Sequence, residues 1–232
     1  MRTFLFAVSA SLALAAPAAA ATRNFGITNF TKVRVEGPFK VSLATGVAPF
    51  ARASGSATAL DRVDVAVQGE TLVVRSSTSP WGGYPGTNPG PVEISIGTHD
   101  LSNAWLNGAG TLAIDRVRGL SFALSVQGSG SAEIASAEAD QMNVSVVGTA
   151  SAKVAGRAKK LTALVRGVGE LDASGLAASD AAIGAEGAAT IDANVSGDAT
   201  VDASGPATIR LNGRPSCTLK VAGSTSVSGC RQ

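Results

Sequence analysis

The sequence predicts an all-β fold: a single-stack parallel β-helix, or β-solenoid, with coils of about 18–20 residues, the period at which its glycines return. Three observations carry that prediction. A glycine between two short β-type runs stands at Gly108, Gly128, Gly148, Gly167, Gly187, Gly205 and Gly223, a nearly constant step that shortens slightly toward the C-terminus. Apolar and polar residues alternate in one register around each of these glycines, as strand geometry requires. Aromatic residues make up only 4% of the chain, while Gly, Ala, Ser and Val abound. A core of small and β-branched side chains suits thin, stacked sheets better than packed helices.

From the N-terminus, Met1-Arg2-Thr3 is followed by an apolar run from Phe4 to Ala16 and by small residues from Ala18 to Ala21. A positive charge, a short hydrophobic stretch and small residues predict a secretory signal peptide over residues 1–21, cleaved after Ala20 or Ala21. The run is shorter than the ~20 residues that span a bilayer, and Pro17 interrupts it. No cysteine follows for a lipid anchor, and no later stretch reaches spanning length. The mature chain is therefore expected to be exported, periplasmic or extracellular, without a membrane span. It is expected to form one domain over residues 22–232. Its charges are few and scattered, with a formal net of +2, which argues against a nucleic-acid or anionic-membrane surface.

Residues 22–100 carry longer and more hydrophobic strands with less exact repetition. Phe30, Val33, Val35, Phe39, Val41 and Leu43 are followed by Val63, Val65 and Val67, then Leu72-Val73-Val74, then Val92, Ile94 and Ile96. Gly37, Gly46 and Gly69 sit near turns, and a loop is inserted at residues 76–91. These strands are expected to begin the stack and cap its N-terminal end, since a bare end strand invites edge-to-edge association.

Residues 101–232 hold the regular repeats. Four and six residues after each glycine come Leu112 with Ile114, Ala132 with Ile134, Ala152 with Val154, Leu171 with Ala173, Ile191 with Ala193, and Ile209 with Leu211. These are the expected inward positions, mostly pairing a large with a small side chain, as interdigitating layers need. Between them, Thr111, Ser131, Ser151, Glu170, Thr190, Thr208 and Ser226 form one outward ladder. Ala113, Glu133, Lys153, Asp172, Asp192, Arg210 and Ser228 form another. Leu124-Ser125-Val126, Val144-Ser145-Val146 and Leu219-Lys220-Val221 alternate in the same way before the glycine. The Ala-rich stretch from Ala177 to Ala189 has helix propensity, but Gly175, Gly184, Gly187 and Gly197 interrupt every helix-length window. Cys217 and Cys230 are the only cysteines. In an exported protein they are expected to form a structural disulfide that closes the last coil.

The N-terminal run Phe30-Thr31-Lys32-Val33-Arg34-Val35-Glu36-Gly37-Pro38-Phe39-Lys40-Val41-Ser42-Leu43 is joined by Gly69-Glu70-Thr71-Leu72-Val73-Val74 and Val92-Glu93-Ile94-Ser95-Ile96. With Leu106-Asn107-Gly108-Ala109-Gly110 and its later echoes, this pattern resembles the auto-transporter adhesin head, or GIN, domain family of exported bacterial proteins. The likeness spans roughly Asn24 to Gly229. It implies a β-helical fold in the bacterial envelope and no catalytic residues. The chain departs from an auto-transporter in having no segment for a membrane-spanning barrel.

Enzymatic chemistry has a few candidates. Asp172 and Asp192 stand at equivalent outward positions of adjacent coils, where paired carboxylates can serve acid/base work. Glu133, Lys153, Asp172, Asp192 and Arg210 mostly alternate in sign, however, which reads more simply as cross-strand pairing on a solvated face. His99, the only histidine, precedes Asp100 in a turn, and no Gly-x-Ser-x-Gly elbow accompanies it. Gly128-Ser129-Gly130 lacks the Gly-Lys-Ser/Thr of a phosphate loop, and the nine-residue period of calcium-binding β-rolls is absent. No catalytic residue, metal or cofactor is assigned.

Trp81 and Tyr84, on the inserted loop Ser79–Pro89, are the candidate partner-binding residues. The competing reading folds their rings back over the solenoid. The expected function is that of an envelope structural or binding protein, adhesin-like, presenting a rigid surface to a glycan or protein partner. The alternative is a glycan-active β-helical lyase or hydrolase, which requires a groove with clustered carboxylates.

Overall fold

Period-two alternation across this chain produces strands almost throughout. The computed structural model describes residues 21–77 and 90–231. In chain order they form β1 (Ala21–Phe25), β2 (Lys32–Glu36), β3 (Lys40–Thr45), β4 (Phe50–Gly55), helix α1 (Ala57–Leu60), β5 (Val63–Gln68), β6 (Thr71–Ser76), β7 (Glu93–Thr98), β8 (Asn103–Gly108) and β9 (Thr111–Ile114). The regular part continues as β10 (Val117–Gly128), β11 (Ser131–Gly148), β12 (Ser151–Gly167), β13 (Glu170–Glu186), β14 (Thr190–Val195), β15 (Asp198–Ser204), β16 (Thr208–Asn212), β17 (Ser216–Ala222) and β18 (Ser226–Ser228). The Ala-rich stretch is strand through Glu186, as expected. Residues 1–20 of the expected signal peptide lie outside the described residues.

Breaks in the alternation mark the corners of each coil. Within β11 the buried residues are Ala132 and Ile134, then Ala137 and Ala139, then Met142, Val144 and Val146. Two odd steps in this series turn the strand through two corners, and the Gly148 turn makes the third. Each coil therefore has a front face starting after the glycine, a narrow side, and a back face leading to the next glycine. All twelve expected inward residues from Leu112 to Leu211 are buried in one continuous core.

Parallel pairing joins β8 to β10 and β10 through β13 in succession, then continues through β14, β16 and β18 on the front and through β15 and β17 on the back. The shorter steps from Gly187 to Gly205 and Gly223 have a structural cause. Ala177↔Asn194 and Ala178↔Val195 are the last pairs on the narrow side, and β14 buries Ile191, Ala193 and Val195 in one unbroken parity. The final coils thus lose one side. The slightly short step from Gly148 to Gly167 is absorbed at a register shift between Ile134 and Ala137, where Gly156 lies so close to the Ala137 backbone that no side chain would fit.

The seven repeating glycines all have positive φ, from 86° to 115°. They stack corner on corner. A Cβ on Gly148 would lie 2.6 Å from the carbonyl oxygen of Gly128, so the coils close to hydrogen-bonding distance only because this corner carries no side chain. Gly37 extends this ladder beneath Gly108, although the two are far apart in the sequence.

The N-terminal strands do sit at one end of the stack, but not in chain order. The β2–β3 layer lies between the β6–β7 layer and the β8–β9 layer. Beyond β7 the pairing becomes antiparallel, with β4 on β7 and β1 on β4, while β5 pairs antiparallel with β6 on the back. Reversed strands end the parallel stack, and α1 adds Ala59 and Leu60 to its core. Ser56 caps that helix, its Oγ accepting from Ala59 N at 3.2 Å. At the other end Cys217 and Cys230 form the expected disulfide, with Cα atoms 5.7 Å apart.

Candidate functional site

The front face carries three adjoining depressions. Its strands run in the order β1, β4, β7, β3, β9, β11, β12 and β13, so residues distant in sequence fall into transverse rows. The central row reads Asn24, Arg52, Ser95, Ser42, Ala113, Glu133, Lys153 and Asp172. On one flank Phe50 pairs with Gly97, and Ala44 and Asp115 follow. On the other flank lie Glu93, Lys40, Thr111, Ser131, Ser151 and Glu170.

Small residues in the middle of these rows make the face concave. A depression of about 430 Å³ has Ser42, Ala44, Ser95 and Ala113 on its floor, with Phe50, Asp115 and Glu133 at its margin. It shares Phe50 and Ser95 with a second depression of about 780 Å³ that reaches Phe25 and Asn24. It shares Ala113 and Glu133 with a third of about 300 Å³ that runs past Ser131, Ser151 and Lys153 to Asp172. Together they form one trough along the front face. At the ~4.8 Å strand spacing, the six intervals from β4 to β13 give it a length of roughly 29 Å.

Fixed and available groups are both present. Lys40 pairs with Glu93 at 2.7 Å, and Arg52 Nε donates to Asn24 Oδ1 at 3.0 Å. Asp115 Oδ1 accepts from Thr45 N at 3.0 Å and from Arg116 N at 2.5 Å, which holds the corner. Among the described residues neither Glu133 nor Lys153 forms an ion pair, although they face each other in register. The alternating signs of the ladder predict a pair there. The cross-strand pair that does form in this ladder joins Arg210 to Asp192 at 3.4 Å.

The two carboxylates considered for acid/base work are held apart in role. Asp172 Oδ1 accepts from Ser174 Oγ at 2.5 Å and from Ser174 N at 3.1 Å. These bonds, the hydroxyl first, together with the charge of Lys153, outweigh the desolvation that opposes them and keep its carboxyl below the ordinary 3.8. A general acid needs the opposite shift. Its neighbour Asp192 is engaged with Arg210. His99 and Asp100 line a separate pit of about 200 Å³ with Arg116 and Arg118, and no serine lines it among the described residues. Nor is any group of three or more His, Cys, Asp or Glu placed among the described residues to hold a metal ion.

Trp81 and Tyr84 lie outside the described residues. In the sequence they fall between β6 and β7. Sequence reasoning missed Phe50 entirely. Its strand buries only Ala51 and Ala53, so apolar alternation gave no signal, although Phe50-Ala51-Arg52-Ala53-Ser54 does alternate in size. It also passed over Trp105, which lies on the back face with the Arg34 guanidinium 5.4 Å above its ring.

No helix among the described residues is long and apolar enough to cross a membrane. Among curated proteins none has a sequence matching this chain. Solved structures do share its fold. One described as a "putative adhesin" from Bacteroides fragilis has a TM-score of 0.80 at 19% identity, over 90% of this chain and 95% of that one. A "putative lipid binding protein" from Parabacteroides distasonis has a TM-score of 0.72 at 18% identity, with the same coverage of 90% and 95%. A "putative adhesin" from Parabacteroides merdae, again over 90% and 95%, has a TM-score of 0.65 at 17% identity. These likenesses establish the β-solenoid. With residues 29–215 matching its pattern, the chain belongs to the family described as "Putative auto-transporter adhesin, head GIN domain".

Proposed function

We propose that this protein is an exported, adhesin-like binding protein that holds an elongated partner of the bacterial envelope or its surroundings along the front-face trough. The observation that carries this reading is the continuity of three depressions through shared residues, Phe50 with Ser95 and Ala113 with Glu133. Each trough strand from β7 to β12 is hydrogen-bonded to a neighbour on both sides, so the floor is preorganised and little ordering opposes binding. Family membership in the adhesin heads supports binding over catalysis, as does the downward pKa shift of Asp172.

The test is co-sedimentation of the purified mature protein with isolated bacterial envelopes. Ala113→Arg combined with Ser95→Arg fills the trough from outward, exposed positions, whereas Thr200→Arg adds the same kind of charge on the back face. Loss of sedimentation with the first variant and retention with the second is the expected result. Full retention by the trough-filled protein would remove the proposal. A role for Trp81 and Tyr84 is a separate proposal, motivated by two aromatics on a long insertion. Unchanged sedimentation of Trp81→Ala plus Tyr84→Ala would dispose of it.

A further inference from the structure

We infer that the ligand of the trough is a neutral oligosaccharide chain, with Phe50 as its stacking platform; this rests on the binding role proposed above. Phe50 is an outward side chain of β4 whose ring lies across Gly97, leaving no room there for a side chain. The ring is thus packed on the sheet beside Val47, and the residue is still 43% exposed. Small neighbours, Ala44 and Ser95, keep the surface around it low. A flat aromatic held in this way presents a rigid apolar plane at little entropic cost. The C–H face of a sugar ring is a flat apolar partner of matching shape.

The polar groups point to the same ligand class. Glu133 and Lys153 offer an acceptor and a donor that no neighbouring ion pair occupies, and Asp115 keeps Oδ2 beside an Oδ1 that is already bonded. Sugar hydroxyls donate to carboxylates and accept from an ammonium. Lys153 lies between Glu133 and Asp172 in the row, so the trough carries no long single-sign field to select a polyanion or polycation. An extended peptide fits poorly, because peptide strands bind through main-chain bonds at a free sheet edge. In the trough, β7, β3 and β9 are each paired on both sides, so recognition must come from side chains. The roughly 29 Å length given by the strand spacing calls for a chain and not for a single sugar.

Calorimetric titration of the mature protein tests this with hexamers and dimers of α-1,4-glucose, β-1,4-glucose and β-1,4-N-acetylglucosamine, and with a neutral Ser/Ala decapeptide. The expected result is hexamer binding that is tighter than dimer binding and absent for the decapeptide. Phe50→Ala should weaken it by about tenfold, Phe50→Trp should restore it, and Glu133→Gln should weaken it less. Circular dichroism of each variant verifies the fold. No heat with any of the hexamers, equal binding of the decapeptide, or indifference to Phe50→Ala would overturn the assignment. If the sugars fail while the Ala113/Ser95 variant still loses envelope binding, only the ligand class is wrong. If that variant also retains full envelope binding, the trough itself is wrong.

Discussion

Substituting one corner glycine by alanine tests the stacking directly. At Gly148 the backbone has φ of 101°, and an added Cβ would meet Gly128 O at 2.6 Å and Gly128 C and N at 3.4 Å. The Gly128 oxygen cannot simply withdraw, because it accepts from Thr149 N at 2.9 Å. A left-handed backbone for alanine costs about 1–2 kcal/mol. Forcing apart packed, hydrogen-bonded backbone adds about 1–3 kcal/mol. The predicted destabilisation of Gly148→Ala is therefore about 2–5 kcal/mol. Gly46 supplies the control, with φ of 75° and nothing within 4 Å of an added Cβ. Its alanine variant should lose only the backbone part, about 1–2 kcal/mol. Urea unfolding followed by far-ultraviolet circular dichroism gives the two values, and amide exchange in β10–β12 reports local loosening around Gly148. Equal midpoints for the two variants would refute the argument that close approach of the coils, beyond local conformation, dictates the glycine ladder.

Three further outcomes follow from the same structure. Ile134→Ala, at a site with 0% exposure, should cost about 2–5 kcal/mol in urea unfolding, whereas Glu133→Ala next to it should cost under about 1 kcal/mol; similar losses would mean that inside and outside are misassigned. Replacing Cys217 and Cys230 by Ser should remove about 3 kcal/mol in the chain-entropy view and speed amide exchange in β17 and β18 while leaving β11 unchanged. Ser174→Ala should raise the Asp172 carboxyl back toward 3.8, read by carbon-detected NMR titration. Because the folded value is depressed, the stabilisation this carboxylate provides is present above pH 3.8 and fades as pH falls through the folded value; the variant should show less of that acid-side loss.

Legibility in the sequence followed the chain's own regularity. From Gly108 onward each coil pairs with its neighbour in the chain, so spacing and parity translate directly into stacking. The shorter steps after Gly187 were visible in the glycine positions, but their cause, the disappearance of the narrow side after Ala178, depends on which corner is lost. Upstream, strand identity was legible from Val33, Val35, Val41, Leu72, Ile94 and Ile96, all buried. Layer order was not. Threading β2–β3 between β6–β7 and β8–β9 pairs Lys32 with both Thr71 and Asn103, at separations that no short period encodes. Alternation based on hydrophobicity also failed at β4, since Ala51 and Ala53 bury too little area to stand out from Ser and Gly.

That failure falls where the candidate site lies, and the coincidence has a physical basis. A solenoid whose coils are translational copies presents each outward position as a ladder, such as Thr111, Ser131 and Ser151, and a ladder has no unique point at which to place a ligand. Singular features need neighbouring rows drawn from unrelated segments. At the N-terminal end β4, β7, β3 and β9 bring together Phe50, Ser95, Ser42 and Ala113, giving one aromatic ring above a floor of small side chains. The regular coils continue the trough with ladder residues and fix the floor through uninterrupted pairing. If the site depends on this junction, outward substitutions near Phe50 should alter binding far more than equivalent ones at Thr208 or Ser226, where every row repeats its neighbour.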